Sequence, residues 1–171
     1  MKPEDIVKAW SGNDLRRCSA QYLRDVAIPE PCKSFLIEVG LPACNDIGFQ
    51  FDPLVGGPLS RVAGRPHLRG IGLMNEFRLV CLDELADGRV IGVDPALQDL
   101  DRYLNSSVDR FAAFIILYLQ WLSMADRLAP GERAELDAQF ERDLTDVDST
   151  VFSDPENYWA IIVWEIKEGI V

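Results

Sequence analysis

Apolar residues in the first third of the chain recur at intervals of three and four, and this spacing predicts three short helices. The first is predicted over 3–10 and the second over about 19–26. In the third helix, Phe35 and Leu36 lie on the apolar face, and Gly40 follows as a residue that commonly ends a helix.

Two strands are predicted in the middle of the chain, where short apolar runs are bounded by turn residues. The first covers 77–82, with a start as early as Ile71, and the second covers 89–93. Asp87 and Gly88 lie between them, and an Asp-Gly pair favours a tight turn because glycine tolerates a positive φ. These residues therefore predict an antiparallel hairpin.

A long apolar helix is predicted after residues 105–107, where a serine hydroxyl can accept hydrogen bonds from the free N–H groups of the first turn. Residues 111–122 are apolar on nearly every side, so this helix belongs in the centre of the core. We expect it to run to about Leu128, with Pro130 and Gly131 ending it.

Two further helices are predicted near the C-terminus, over about 132–144 and 155–166. The order of elements is thus helices, strands and helices, without the alternation that builds a parallel sheet. This order predicts an α+β fold with an antiparallel sheet covered by helices. A chain of 171 residues suits a single domain, which we place over 1–171.

The acidic balance of the chain limits the classes of partner that it can bind. There are 28 acidic and 17 basic residues, and the formal net charge is −11. A field of this sign repels nucleic acid and attracts basic proteins. We therefore expect a basic protein partner and no direct binding of nucleic acid, although an acidic surface can also serve solubility alone.

The location of the protein is indicated by its apolar segments. The first residues lack the apolar stretch of a signal peptide. The apolar run 111–122 is shorter than the ~20 residues that cross a bilayer. We therefore expect a cytoplasmic protein that binds no membrane, and the sequence leaves its oligomeric state open.

The residues most able to bind a transition metal are widely spaced along the chain: Cys18, Cys32, Cys44, His67 and Cys81. A zinc site normally uses closely spaced pairs of such ligands. We therefore predict no metal site and no cofactor, with the cysteines present as reduced, partly buried thiols.

Residues 48–51 predict a strand, and the Gly- and Pro-rich stretch 52–69 predicts a long loop, which is often functional. This stretch contains neither a P-loop nor a dinucleotide-binding glycine pattern. His67 is the one imidazole available as a general base, and Ser60 is near it only in sequence. The sequence therefore indicates no enzyme, and a small hydrolase that uses this loop and His67 stays as an alternative hypothesis.

The segment 132–156 contains nine acidic residues and two arginines. One interpretation is an acidic face that docks a basic partner, and the other is a solvated helix and loop. On the first interpretation, the candidate partner-binding residues are Glu141, Asp143, Asp146, Asp148, Asp154 and Glu156.

Three short motifs together resemble those of a known family. Residues 34–42 read Ser-Phe-Leu-Ile-Glu-Val-Gly-Leu-Pro, 87–90 read Asp-Gly-Arg-Val, and 103–111 read Tyr-Leu-Asn-Ser-Ser-Val-Asp-Arg-Phe. Their order and spacing resemble the SUKH superfamily, which is related to the fungal cell-wall-synthesis regulator family. The resemblance is closest to its actinobacterial-type immunity branch and covers about 34–122.

That resemblance implies a curved antiparallel sheet with flanking helices. It also implies an immunity protein, or antitoxin, that binds and neutralises a cognate polymorphic toxin, often a nuclease or deaminase, without catalytic residues of its own. A nuclease fits the basic partner expected from the charge. A non-enzymatic regulatory or scaffold module, as in the wider superfamily, stays as the alternative.

Overall fold

The structure of the chain is a computed structural model. The structure describes Asp5 and residues 15–42, 47–51, 57–75, 77–96, 101–125, 127–128 and 130–171. Apart from Asp5, the helix predicted over 3–10 lies outside the described residues, and so does Cys44.

The described residues form helices, then strands, then helices as predicted, except for the two-residue strand Leu15–Arg16 that precedes the first of these helices, and the α+β class is confirmed. In chain order the elements are β1 (Leu15–Arg16), α1 (Ala20–Leu23), α2 (Glu30–Glu38), β2 (Leu41–Pro42), β3 (Phe49–Gln50), β4 (Arg61–Val62), β5 (Arg65–Met74), β6 (Arg78–Asp83), β7 (Arg89–Val93), β8 (Arg102–Asn105), α3 (Val108–Ala125), α4 (Pro130–Asp148), a 3-10 helix (Ser149–Phe152) and α5 (Tyr158–Lys167).

The main sheet has the strand order β3-β5-β6-β7-β8, and β4 pairs with β5 beside this row. Every described strand pair is antiparallel, including the separate β1–β2 pair. The sheet curls strongly into a half-barrel, and helices pack against it. This is the curved sheet with flanking helices that the resemblance implied.

The predicted hairpin is confirmed as β6 and β7. Leu79 pairs with Val93, and Asp83 pairs with Arg89 at the turn end. Asp87 and Gly88 have φ values of 51° and 74°, so both lie in the left-handed region. The Asp-Gly pair therefore forms the turn for the physical reason that predicted it.

The prediction of a long loop over 52–69 is wrong for the second half of that stretch. β4 lies within it, and β5 begins at Arg65 instead of near Ile71. β5 is also a strand of its own, separated from β6 by a turn at Asn75, where φ is 51°. A register shift between Gly70 and Gly72 breaks the alternation of side chains, and this break hides the strand in the sequence.

The central helix is confirmed as α3, in which every residue from Phe111 to Tyr118 is buried. It is the one helix of the described residues that is long and apolar enough to cross a membrane by length and composition, and it lies inside the fold. It ends at Ala125, earlier than predicted. Pro130 does not end α3 but begins α4, because the first turn of a helix tolerates a residue without an N–H group.

Both faces of the main sheet are buried over part of their area. The face toward the helices carries Val80, Leu82 and Val90, which join the main core. The opposite face carries a smaller cluster of buried apolar residues: Val62, Leu68, Cys81, Ile91 and Val93. The curl of the sheet thus encloses a second, smaller core. Successive residues of β6 point to opposite faces, so Val80 and Leu82 enter the main core and Cys81 enters the smaller one.

Candidate partner-binding site

Four of the predicted acidic residues lie on α4, and Asp148, the last of them, ends this helix. Glu141 is half-buried, and its carboxylate bonds to Nζ of Lys167 on α5 at 2.8 Å. Asp143 is half-buried and accepts a hydrogen bond from the side-chain amide of Gln139 at 2.8 Å. Asp146 is exposed. These three carboxylates therefore lie at or near the surface, and two of them are already engaged with neighbours.

Asp154 and Glu156 lie together after the 3-10 helix. Both are exposed, and Oδ1 of Asp154 accepts a hydrogen bond from the backbone N–H of Glu156 at 2.9 Å. The Glu156 side chain is 78% exposed and forms an ion pair with Arg102 at 3.1 Å. The structure thus places these two carboxylates on a segment distinct from the acidic helix α4.

Asp148 is the exception, because its side chain is fully buried. Its Oδ2 accepts hydrogen bonds from the backbone N–H and the hydroxyl of Ser106 at 2.9 and 3.0 Å, and from Asn105 Nδ2 at 3.3 Å. Its Oδ1 accepts from the N–H of Thr150 and lies 3.6 Å from Arg110 Nη1. α4 ends at Asp148 against the start of α3, so this carboxylate faces the interior and is not available to a partner.

The Asn-Ser-Ser motif therefore acts as a clasp between β8 and the C-terminal helices. Asn105 Oδ1 accepts a hydrogen bond from Nε1 of the buried Trp159 at 3.0 Å, which ties β8 to α5. The hydroxyl of Ser106, one of the two serines predicted as caps of α3, donates to Asp148 and accepts from Arg110. Buried polar groups need such partners, so the clasp sets the position of the C-terminal segment.

Next to Glu156 lies an open apolar groove of about 640 Å³. We call it the Trp164 groove, and its lining residues are Phe152, Pro155, Glu156, Ala160, Ile161 and Trp164. Residues three and four apart share one face of a helix, so α5 presents its three members of this set together. Its opposite face carries the buried Trp159, Val163 and Ile166.

A smaller polar cleft of about 260 Å³ adjoins the groove, because Glu156 lines both. Its other lining residues come from β7, from β8 and the residue before it, and from the segment before α5: Arg89, Ile91, Asp101, Arg102, Tyr103, Asp154 and Asn157. The two predicted carboxylates Asp154 and Glu156 therefore lie at the junction of an apolar groove and a polar cleft.

Of the two residues in the hydrolase hypothesis, Ser60 directly precedes β4 and His67 lies on β5. Ser60 lies opposite Gly70 in the β4–β5 pairing, where its carbonyl accepts the Gly70 N–H at 2.9 Å. His67 is three residues from Gly70 along β5, or about 10 Å at ~3.3 Å per residue. The His67 carbonyl accepts the N–H of Glu84. Among the described residues, no hydrogen bond joins the side chains of Ser60 and His67.

Asp83 and Glu84, at the end of β6, each form an ion pair with an arginine. Asp83 is buried and bonds to Arg89 at 2.9 Å, while Glu84 bonds to Arg69 at 2.9 Å. Burial by itself raises the pKa of Glu84, but the hydrogen bond from Ala27 N–H and the Arg69 guanidinium outweigh it and hold the pKa below its usual value. Both residues are thus structural partners of arginines.

The buried cysteines have thiols of low reactivity. Cys18, Cys32 and Cys81 are free and buried. Burial raises the pKa of the Cys81 thiol to about 12, and burial also raises the pKa values of the other two. The thiolate is the reactive and metal-binding form, so these side chains stay protonated at neutral pH. Among the described residues, no three His, Cys, Asp or Glu side chains are grouped as metal ligands.

A comparison with protein families identifies the family of the chain. The family model described as SUKH-4 immunity protein matches residues 2–165. The chain belongs to the SUKH-4 immunity protein family. This match extends the resemblance of 34–122 to nearly the whole chain, including the acidic α4 and the Trp164 groove. Membership in an actinobacterial-type branch stays a prediction.

Searches of curated proteins and of solved structures return no match. The family match therefore supports an immunity role for this SUKH-4 protein and does not identify the surface through which it binds.

Sequence reasoning missed the Trp164 groove. One signal was available in the pattern of α5, where Trp159, Val163 and Ile166 mark the core-facing side. Trp164 is a large aromatic residue outside that stripe, and it is 55% exposed. The rest of the groove could not be predicted, because Phe152 and Pro155 approach α5 only through the turn after the 3-10 helix.

Proposed function

We propose that this SUKH-4 family member is an immunity protein that binds a cognate toxin domain and neutralises it without catalysis. The observation that carries the proposal is the family match over residues 2–165. Tight occlusion of an active site needs a stable fold and a complementary surface, and it needs no reactive side chain. The internal roles of Asp83, Glu84 and Asp148 are consistent with a binding protein.

We propose further that the toxin is basic, as nuclease domains commonly are, and that the two proteins meet in the cytoplasm. The formal net charge of −11 supports this, because it steers a positively charged partner toward the protein. Exposed carboxylates such as Asp146, Asp154 and Glu156 supply part of that field. A deaminase with a basic surface is equally compatible with this charge.

The test is protection in a cell. The toxin domain encoded beside this chain is expressed from an inducible promoter, with and without this protein, and growth and viability are measured. We expect toxin alone to stop growth and co-expression to restore it. The matched control is a toxin domain of another family, against which this protein gives no protection.

Purified proteins then test the mechanism. An inactivated toxin domain and this protein should elute as one complex in size-exclusion chromatography, and the association rate should fall by at least about tenfold between 50 and 500 mM salt. Absence of both protection and a complex contradicts the immunity role. Capture of several unrelated partners, with no toxin encoded nearby, favours the regulatory or scaffold alternative.

A further inference from the structure

The Trp164 groove is an apolar surface that the fold leaves open. Trp164, on the outer face of α5, is 55% exposed. Other large apolar side chains are exposed among the described residues, including Phe77 and Leu85, but those two do not line the groove. Exposed tryptophan is among the residues most often found at the energetic centre of a protein interface.

The groove is held in a fixed shape before any partner arrives. Its floor on α5 is anchored from behind by Trp159, whose indole N–H bonds to Asn105. At the start of α5, the buried Asn157 donates from Nδ2 to the carbonyl of Val151 at 3.1 Å, which holds the 3-10 helix against it. A preorganised surface binds with a smaller loss of conformational entropy than a mobile one.

The charge around the groove selects the occupant. Glu156 lines the groove itself, and Asp154 lies two residues before it in the adjoining polar cleft. Glu168 is exposed and lies one helical turn after Trp164, on the same side of α5. Two cations offset part of this charge: Arg102 through its ion pair with Glu156, and Lys167, three residues after Trp164, which is itself paired with Glu141. The rim is therefore acidic around an apolar floor.

We propose that the Trp164 groove is the docking surface for the toxin, and that it takes a basic segment that inserts an apolar side chain between flanking lysines or arginines. This inference rests on the immunity function proposed above and names the surface through which it acts. An apolar floor buries the inserted side chain, and Asp154, Glu156 and Glu168 pair with the flanking cations. A second copy of this chain fits poorly, because two molecules of net charge −11 repel each other.

The first test changes the floor of the groove and measures the affinity for the inactivated toxin domain by calorimetry. Trp164→Ala should weaken binding by at least about 30-fold, as loss of a central tryptophan does at other interfaces. Phe77→Ala is the matched control, because Phe77 is an aromatic residue that is 60% exposed outside the groove. That variant should bind within about threefold of the unchanged protein.

A second variant distinguishes loss of the binding surface from a folding defect. Ala160→Leu fills the groove without changing charge or helix propensity by much, and it should also weaken binding by at least about tenfold. Thermal unfolding of each variant establishes that it is folded. If both folded variants bind as tightly as the unchanged protein, the groove is not the docking surface, and the immunity function stands.

The rim is tested with Asp154→Asn combined with Glu156→Gln. At 50 mM salt this variant should bind about tenfold more weakly than the unchanged protein, and the difference should vanish at 500 mM salt. Asp146→Asn is the matched control, because it removes an exposed carboxylate that does not line the groove. No difference at low salt contradicts a basic occupant.

Two remaining outcomes separate the inference from the function. If the unchanged protein neither binds the toxin domain nor protects against it, both the proposed function and the docking surface are overturned. If Trp164→Ala abolishes self-association of this chain at micromolar concentration but leaves toxin binding intact, the groove belongs to a second copy and the inference is wrong.

Discussion

Asp148 illustrates how a residue that looks like surface charge can serve the interior. Its carboxylate is buried and accepts hydrogen bonds from Ser106, Asn105 and Thr150. A buried carboxylate is tolerated only when donors replace the water that it loses. Those donors are in turn satisfied by the carboxylate, so removing it leaves them unpaired.

We expect Asp148→Ala to lower the free energy of unfolding by about 3 kcal/mol, because buried donors are then left without an acceptor. Urea denaturation followed by circular dichroism measures this difference. Asp146→Ala is the matched control, since its side chain is exposed, and it should change stability by less than about 0.5 kcal/mol. Equal losses of stability in the two variants contradict a structural role for the buried Asp148 carboxylate.

Glu84 joins the N-terminal segment to the sheet. Its Oε1 accepts the N–H of Ala27 and the Nε–H of Arg69, both at 2.9 Å. These bonds hold the pKa of Glu84 below its usual value against the effect of burial. A carboxyl with a lowered pKa in the folded state stabilises the protein above its ordinary pKa, and this contribution is lost as the pH falls through the folded-state value.

Glu84→Gln should therefore destabilise the protein at pH 7 by about 1–3 kcal/mol, the range for a hydrogen bond to a charged group. The difference from the unchanged protein should begin to shrink below about pH 4.5, where the unfolded chain binds the proton, and should be lost as the pH falls through the lower folded-state pKa. Denaturant unfolding at several pH values measures it, with the exposed Glu38→Gln as control. A difference that is independent of pH contradicts this account.

At the scale of elements, the passage from α2 to β2 depends on Gly40. Its φ is 89°, and its N–H bonds to the carbonyl of Phe35 at 2.8 Å, which closes the helix. A Cβ at this position would lie 2.4 Å from the carbonyl oxygen of Arg16 on β1. Gly40 thus ends the helix as predicted, and it also allows β1 to approach.

Gly40→Ala should destabilise the protein by about 3 kcal/mol or more, because a left-handed backbone and a steric clash act together. Gly64→Ala is the matched control, since Gly64 has a similar φ of 73° but open space around it. It should cost only about 1–2 kcal/mol, the contribution of the backbone alone. Thermal unfolding compares the two, and equal losses contradict the close approach of β1.

The elements differ in how far local pattern determines them. The β6–β7 hairpin was predictable because its turn residues and its apolar runs agree. β5 was not predictable over its full length, because the register shift between Gly70 and Gly72 interrupts the alternation of its buried and exposed side chains. Pairing with β4 and β6 stabilises the strand despite this weak local pattern. The end of α3 was also misplaced, because a proline can begin a helix as well as prevent one.

At the scale of the whole molecule, one apolar core joins distant parts of the chain. Its buried members run from Cys18, before α1, to Ile166 in α5, with α3 in the middle. A core that includes both ends of the described chain favours a single cooperative unit. The single domain over 1–171 stays a prediction, and cooperative unfolding is its consequence.

We therefore expect one two-state unfolding transition. The midpoints measured by tryptophan fluorescence and by far-ultraviolet circular dichroism should coincide, and the calorimetric and van't Hoff enthalpies should agree. Two separated transitions, or an enthalpy ratio well above one, contradict a single domain.

The sequence by itself determined the α+β class, the central helix, the hairpin and the acidic character, because each follows from local periodicity, turn chemistry or a sum over residues. The tertiary structure alone decided which carboxylates face solvent. Asp146 and Asp148 are two residues apart, yet one is exposed and the other lies against Ser106. It also decided that Phe152 and Trp164 share a groove, since contacts between elements depend on packing that no local pattern records.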